Sequence, residues 1–301
     1  MSTVWVGSPV RPQKEADISL RTDRGLTIKP RPYYAAKHWW QRLRIARNRR
    51  RIPAYGWTGV RLLGYHRVSD DNDELAVSPA RFSAQMEALA DADVTVVGLE
   101  EATELLNDGT HGRYACVTFD DGYRDNLEQA VPILERLQMP AQIYLATAVI
   151  DGGARFGWYR EQPPLLTWDE VRDLARTELI SFGAQSRTHP ILTHLSDDEA
   201  WEEISGAKRD LEEQLKRSVT TFCYPGGLFR DREQDYVRRA GFAAGITCEP
   251  GVNTKDQPRE ALLRTMIDRR DSIGDFHAKL AGLYDQPSAL RVWLRGRRIR
   301  G

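Results

Sequence analysis

Cysteine is scarce in this chain: three residues, Cys116, Cys223 and Cys248, with no CxxC pair among them. An odd number at such spacing excludes a disulfide framework and a clustered thiolate metal site, and it fits a reducing compartment. Long apolar runs are also missing. No stretch approaches eighteen apolar residues and the first thirty hold no continuous hydrophobic core, so neither a membrane span nor a conventional secretory signal is read. Net charge is absent as well, with 43 basic against 43 acidic residues, and this argues against a nucleic-acid partner. What is present is enough apolar material, 41% of 301 residues, to bury a sizeable core.

The charge balance is local. Residues 1–60 carry thirteen Lys and Arg against three Asp and Glu, leaving the remainder with 30 against 40. Five prolines punctuate the first 55 residues, and the segment AAKHWWQRLRIARNRRR suggests one short helix with Trp39, Trp40, Leu43 and Ile45 as its apolar members. It reads as a cationic strap across the main domain, with an anchor to an anionic membrane or polymer as the alternative. A second basic run, RVWLRGRRIR, closes the chain. The resulting division is a basic arm over 1–57, a catalytic-type domain over 58–285 and a basic tail over 286–301. The expected location is cytoplasmic, with peripheral attachment at the inner membrane as a variant; the oligomeric state is left open.

Between arm and tail, strand-like and helix-like segments alternate. RLLGYHRV, VTVVGL, YACVTF, AQIYLATAVI, LISFGAQ, TTFCYP and FAAGITC read as strands, and PARFSAQMEALA, NLEQAVPILERL, TWDEVRDLA and DREQDYVRRA as helices. The order favours an α/β barrel or parallel sheet. Ser196 and Glu199 have capping-box spacing before a helix whose inner face holds Trp201, Ile204, Ala207 or Lys208, Leu211 and Leu215. Its many charges read as a solvated outer face.

Three segments carry chemistry. In VTFDDGYRDN an apolar strand ends in Asp120 and Asp121, a base and an oxygen ligand if Gly122 turns the backbone away, since neighbouring side chains of a continuing strand face opposite sides. In SFGAQSRTHPILTH, His189 and His194 are candidate metal donors, and Gln185 is read as a hydrogen-bonding partner of substrate or ligand rather than a direct ligand. In TFCYPGGLFR, the glycines bring backbone close to a substrate and the Tyr224 amide can face an oxyanion if the turn exposes it; Cys223 reads as buried wall. Trp158 reads as a packing side chain, and Tyr159 as either a sugar-stacking ring or part of the same packing.

Together these segments make the chain resemble the polysaccharide deacetylase, or NodB-homology, family of carbohydrate esterases over roughly residues 58–285. TFDDG matches the first family motif, QSRTHP the second with Gln185 in place of its first histidine, and FCYPGG the third; YHRV at 65–68, LTWDE at 166–170 and LLRTMID at 262–268 add further pieces. The resemblance implies a distorted (β/α) barrel of seven strands and metal-dependent hydrolysis of an N-acetyl group from a saccharide or glycan intermediate, including a lipid-linked one. Asp120 would be the base, Asp121 and His189 ligands of a divalent metal with zinc favoured, and the Tyr224 amide an oxyanion donor. The family's distal LxIxH motif is not recognisable, leaving His66 and His277 as substitutes by residue type. Two alternatives stand beside this reading: a catalytically weak glycan-binding or assembly protein, and a metal-independent amide hydrolase using Asp120.

Overall fold

The computed structural model describes residues 56–285. The basic arm up to residue 55, including the segment around Trp39 and Trp40, and the tail over 286–301 lie outside the described residues. The chain opens with β1 (Gly59–Tyr65), β2 (Arg67–Val68) and β3 (Ala76–Val77), then α1 (Pro79–Ala90), β4 (Thr95–Val96), α2 (Leu99–Asp108) and β5 (Arg113–Phe119). A π-turn over Asn126–Ala130 leads into α3 (Val131–Leu137), followed by β6 (Ala141–Leu145), α4 (Thr147–Ile150), α5 (Trp168–Leu174) and β7 (Ile180–Ala184). The second half holds α6 (Asp197–Leu215), β8 (Thr221–Cys223), α7 (Asp231–Arg239), β9 (Ala244–Ile246), β10 (Arg264–Met266) and α8 (Ile273–Leu280).

Seven parallel strands run in the order β10, β1, β5, β6, β7, β8, β9, and the short β4 pairs with the outer start of β5. The barrel is nearly closed: a parallel bridge joins Ile246 to Leu262, with the Leu262 amide donating to the Gly245 carbonyl at 2.7 Å and the Thr247 amide to Leu262 at 2.9 Å. Every residue of β1 is buried, as expected for a parallel strand covered on both faces. Gly64 lets the Met266 side chain pack directly on the strand, since a Cβ would lie 2.5 Å from the Met266 sulfur and push it aside.

Two apolar runs that read as continuous strands are split. VTVVGL contributes only the two residues of β4 before Gly98 caps α2, and AQIYLATAVI breaks after Leu145 into α4. Periodicity cannot locate such a break within a buried apolar run. The capping box at Ser196 and Glu199 is formed, and Ala200, Ile204, Ala207 and Leu211 are the buried face of α6, with Trp201 and Leu215 packed against the core. Among the described residues no helix is long and apolar enough to cross a membrane.

The strand order decides where chemistry can occur. His66, Asp120, Gln185 and Tyr224 each follow directly on the last residue of β1, β5, β7 and β8. One rim therefore gathers side chains from four distant parts of the sequence.

Candidate active site

At the end of β5 the Asp120 amide still donates to Tyr65 at 2.9 Å, a last rung towards β1. Asp121 then enters the left-handed region with φ 72°, and Gly122 follows at 69°. The chain thus leaves the strand one residue earlier than the glycine suggested. Asp121 itself makes the turn that lets adjacent acids share one pocket. Gly122 is needed for a second reason: a Cβ there would meet the Leu145 side chain at 2.5 Å. Both carboxylates are buried, and both feel His66 as well as one another or His189.

Asp120 is locked from the sheet. Arg264 on β10, fully buried, donates through Nη1 to Oδ1 at 2.6 Å and through Nη2 to Oδ2 at 2.7 Å. The guanidinium is itself held by the Thr247 carbonyl (3.1 Å from Nε) and the Thr118 hydroxyl (3.2 Å from Nη1). Burial opposes ionisation of Asp120, but Arg264 and, more weakly, His66 outweigh it and hold the carboxyl below its usual range. Each carboxylate oxygen keeps a second lone pair, so the bidentate contact does not exhaust the acid as an acceptor. The Cys223 thiol lies 3.1 Å from Arg264 Nη2, and burial raises its pKa well above the ordinary value, matching a wall residue rather than a nucleophile.

Asp121 is held differently. Its amide donates to Gln185 Oε1 at 3.0 Å, while Gln185 Nε2 lies 3.1 Å from His189 Nε2. The backbone amide fixes the orientation of the carboxamide, so the Gln185 NH2 group faces the ring and His189 Nε2 must accept; the ring proton is assigned to Nδ1. Burial lowers the His189 pKa to about 4, against the attraction of Asp120, which leaves a neutral imidazole at pH 7. Burial likewise pushes Asp121 up to about 6, with His66 opposing and Asp120 adding to the shift.

Asp121 Oδ1 is buried without a hydrogen-bond partner and lies 3.5 Å from His189 Nε2. Two donors to one zinc, at bonds of about 2 Å in a tetrahedral arrangement, are separated by roughly that distance. The separation suits two positions around a divalent cation, and a cation taken up there would displace the Gln185 N–H from the single Nε2 lone pair of His189. Gln185 is no equivalent third: its carbonyl already accepts the Asp121 amide, and a neutral amide is not among the usual zinc donors. His194 does not supply it either: it ends a 3-10 turn over Leu192–His194 and is exposed, and among the described residues no group of three His, Cys, Asp or Glu is placed to hold an ion.

The remaining candidates divide. His66 belongs to the rim, part-exposed, with Nε2 3.9 Å from Asp120 Oδ2. His277 lies on α8 with its ring against Phe276. The expected use of the Tyr224 amide is corrected: it donates to Ile246 at 3.1 Å as a rung between β8 and β9, and the hydroxyl donates to the Glu260 carbonyl at 2.8 Å. Gly226, exposed with φ 62° and open space at its absent Cβ, is the accessible part of that turn.

Tyr159 donates its hydroxyl to Asp73 at 2.6 Å and meets Tyr123 edge-on. Trp158, read as packing, is instead 41% exposed. One face stacks on Phe156 (centroids 4.6 Å, 18°) and the ring meets His189 at 4.9 Å. LLRTMID was singled out in the sequence but Arg264 within it was given no role; the signal was a charge inside the apolar run ALLRTMI, which a buried strand tolerates only with a partner.

A family model described as polysaccharide deacetylase matches residues 107–245. A Bacillus subtilis protein provisionally named a polysaccharide deacetylase is 28% identical over 224 residues, 74% of this chain and 76% of its own. A poly-β-1,6-N-acetyl-D-glucosamine N-deacetylase of Staphylococcus aureus is 24% identical over 231 residues, 68% and 77% of the two chains. Among solved structures, a Streptococcus pyogenes deacetylase in complex with acetate shares the fold at TM-score 0.66 and 22% identity, covering 74% of this chain and 98% of that one. A polysaccharide deacetylase from Bacillus cereus gives 0.63 at 25% identity, covering 74% and 69%.

Proposed function

We propose that this chain is a polysaccharide deacetylase, as the family match over residues 107–245 and the Bacillus subtilis relative support, and that it hydrolyses the N-acetyl group of a saccharide and releases acetate, with Asp120 as the general base. The observation that carries this reading is the juxtaposition at one rim of an acid kept ionised by a buried arginine and the Asp121–His189 pair. Asp120 is charged at neutral pH and retains acceptor capacity, so it can take the proton of an attacking water. His66, part-exposed beside it, is the candidate to return a proton to the sugar amine. Asp121 and His189 would hold a divalent cation, zinc favoured, which when bound supplies Lewis-acid polarisation of the acetyl carbonyl.

Trp158 supports a sugar as the substrate. Its ring is pinned on one face by Phe156 and remains exposed next to His189, a placement suited to stacking on the apolar face of a pyranose. The test is a panel of N-acetylated chitooligosaccharides, β-1,6-linked N-acetylglucosamine oligomers and lipid-linked N-acetyl sugars, read for free acetate and for new primary amine. Acetate release that a chelator stops and zinc restores is expected.

A second reading is favoured by one observation, the bridging of Asp121 and His189 by Gln185 with no third donor. Release that survives chelation would support a metal-independent amide hydrolase. Tight sugar binding with no release across the panel would support a glycan-binding or assembly protein.

A further inference from the structure

Two backbone amides of the loop that carries Gln185 and His189 are fastened from outside the site by one carboxylate. Glu203 on α6 accepts the amide N–H groups of Arg187 at 2.8 Å and Thr188 at 2.9 Å on Oε2, and the Thr188 hydroxyl at 2.6 Å on Oε1. Successive amides converging on one anion form a backbone nest, which requires negative charge at its focus.

This nest lies between two residues in the left-handed region, Ser186 at φ 63° and His189 at φ 59°. Neither is glycine, and such backbone persists only where surrounding bonds over-determine it. The other backbone bonds of the turn are to itself or to the start of α4: His189 N–H to Ser186 Oγ at 3.0 Å, Thr147 N–H to Ser186 at 3.2 Å and Ala148 N–H to Arg187 at 2.9 Å; the Arg187 side chain adds bonds to Asp210 at 3.0 Å and Glu202 at 3.2 Å on α6. Glu203 is the contact that grips the two middle amides, and it stands on a nineteen-residue helix beside buried Ile204. The charges of α6 are therefore not all a solvated face, as their run in the sequence suggested.

We propose that Glu203 is a positioning residue of the site: its carboxylate holds the 186–189 turn so that His189 Nε2 stays opposite Asp121 Oδ1. The inference rests on the reading that Asp121 and His189 serve one centre, but it makes a claim about backbone geometry that needs no catalysis to observe. A glutamine at 203 can offer its oxygen to the two amides and its NH2 to the Thr188 oxygen, but it lacks the negative charge that makes the bonds charge-assisted, so the grip on both amides weakens.

The experiment compares Glu203→Gln with Glu202→Gln in the full chain; Glu202 is exposed on the same helix and pairs with Arg187 and Arg209 side chains. Amide hydrogen exchange is read on metal-free protein, zinc affinity by titration with zinc alone, and kcat and KM at saturating zinc. In Glu203→Gln, exchange at Arg187 and Thr188 should accelerate at least about tenfold, zinc affinity should fall roughly tenfold or more, and kcat should fall with KM nearly unchanged. Glu202→Gln should show none of these. Unchanged exchange and zinc affinity in Glu203→Gln, or the same losses in Glu202→Gln, would overturn the proposal. If the parent chain neither binds zinc nor releases acetate, the deacetylase reading fails separately, and exchange at the two amides still decides the role of Glu203.

Discussion

The two adjacent acids at the end of β5 sit in opposite kinds of surroundings. Asp120 is gripped by the sheet, with both oxygens on a buried arginine that is itself bonded to β5 and to the chain after β9. Asp121 is gripped by loops: its amide reaches Gln185, its backbone is left-handed, and one oxygen is buried with no hydrogen-bond partner. The base half of the site is complete as the fold forms, while the half suited to a cation has two donors and a bridge. Sheet-borne parts are fixed by strand register; loop-borne parts depend on contacts such as Glu203 that can be altered without disturbing the barrel.

The sharpest break of this comparison is at Asp120. Asp120→Asn should reduce turnover by about 10²–10⁴-fold without restoration by added metal, as expected for loss of a general base, with circular dichroism confirming the fold. Retained activity at matched metal occupancy would remove Asp120 from that role.

Arg264→Lys should act on the same half through pH. Arg264 lowers the Asp120 pKa against burial, so in the parent chain the carboxylate and its bidentate contact persist as pH falls and are lost only when pH passes below that depressed value. Lysine keeps a charge but loses the second parallel bond, so the Asp120 pKa rises. The acid limb of kcat/KM should move upward by about one pH unit or more. An unmoved limb would show that Arg264 does not set the ionisation of the base.

A smaller effect belongs to the rim. Trp158→Ala should raise KM for oligosaccharides about three- to tenfold with kcat little changed, the amount expected from loss of one stacking contact. An equal effect on a small acetanilide-type amide would mean that the ring does not read the sugar.

The acids at a strand end, the Ser196 capping box and the alternation of strand-like and helix-like segments were legible because each follows from local pattern, whereas the count of seven strands came only as what the family resemblance implies. The sequence could not place Arg264 against Asp120, since that pair depends on β10 lying beside β1, a register invisible to periodicity. It assigned an oxyanion role to the Tyr224 amide because a Pro-Gly-Gly turn signals exposed backbone, yet the ladder to β9 extends one residue further and consumes that amide. His194 was chosen by residue type and Trp158 was set aside by residue type; only the path of the 3-10 turn and of the loop before α5 decides which of them faces the rim. The split of function along α6, where Glu203 grips a loop while neighbouring charges face solvent, is likewise a matter of tertiary contact.

The contrast between a finished base half and a two-donor cation half is tested most directly by titrating metal-free full-length protein with zinc, comparing the parent chain with Gln185→His. The account predicts that zinc binds the parent weakly and that Gln185→His binds at least about tenfold more tightly, because the substitution replaces a bridging amide with a third donor beside Asp121 and His189. Binding by the parent as tight as that of Gln185→His would contradict it.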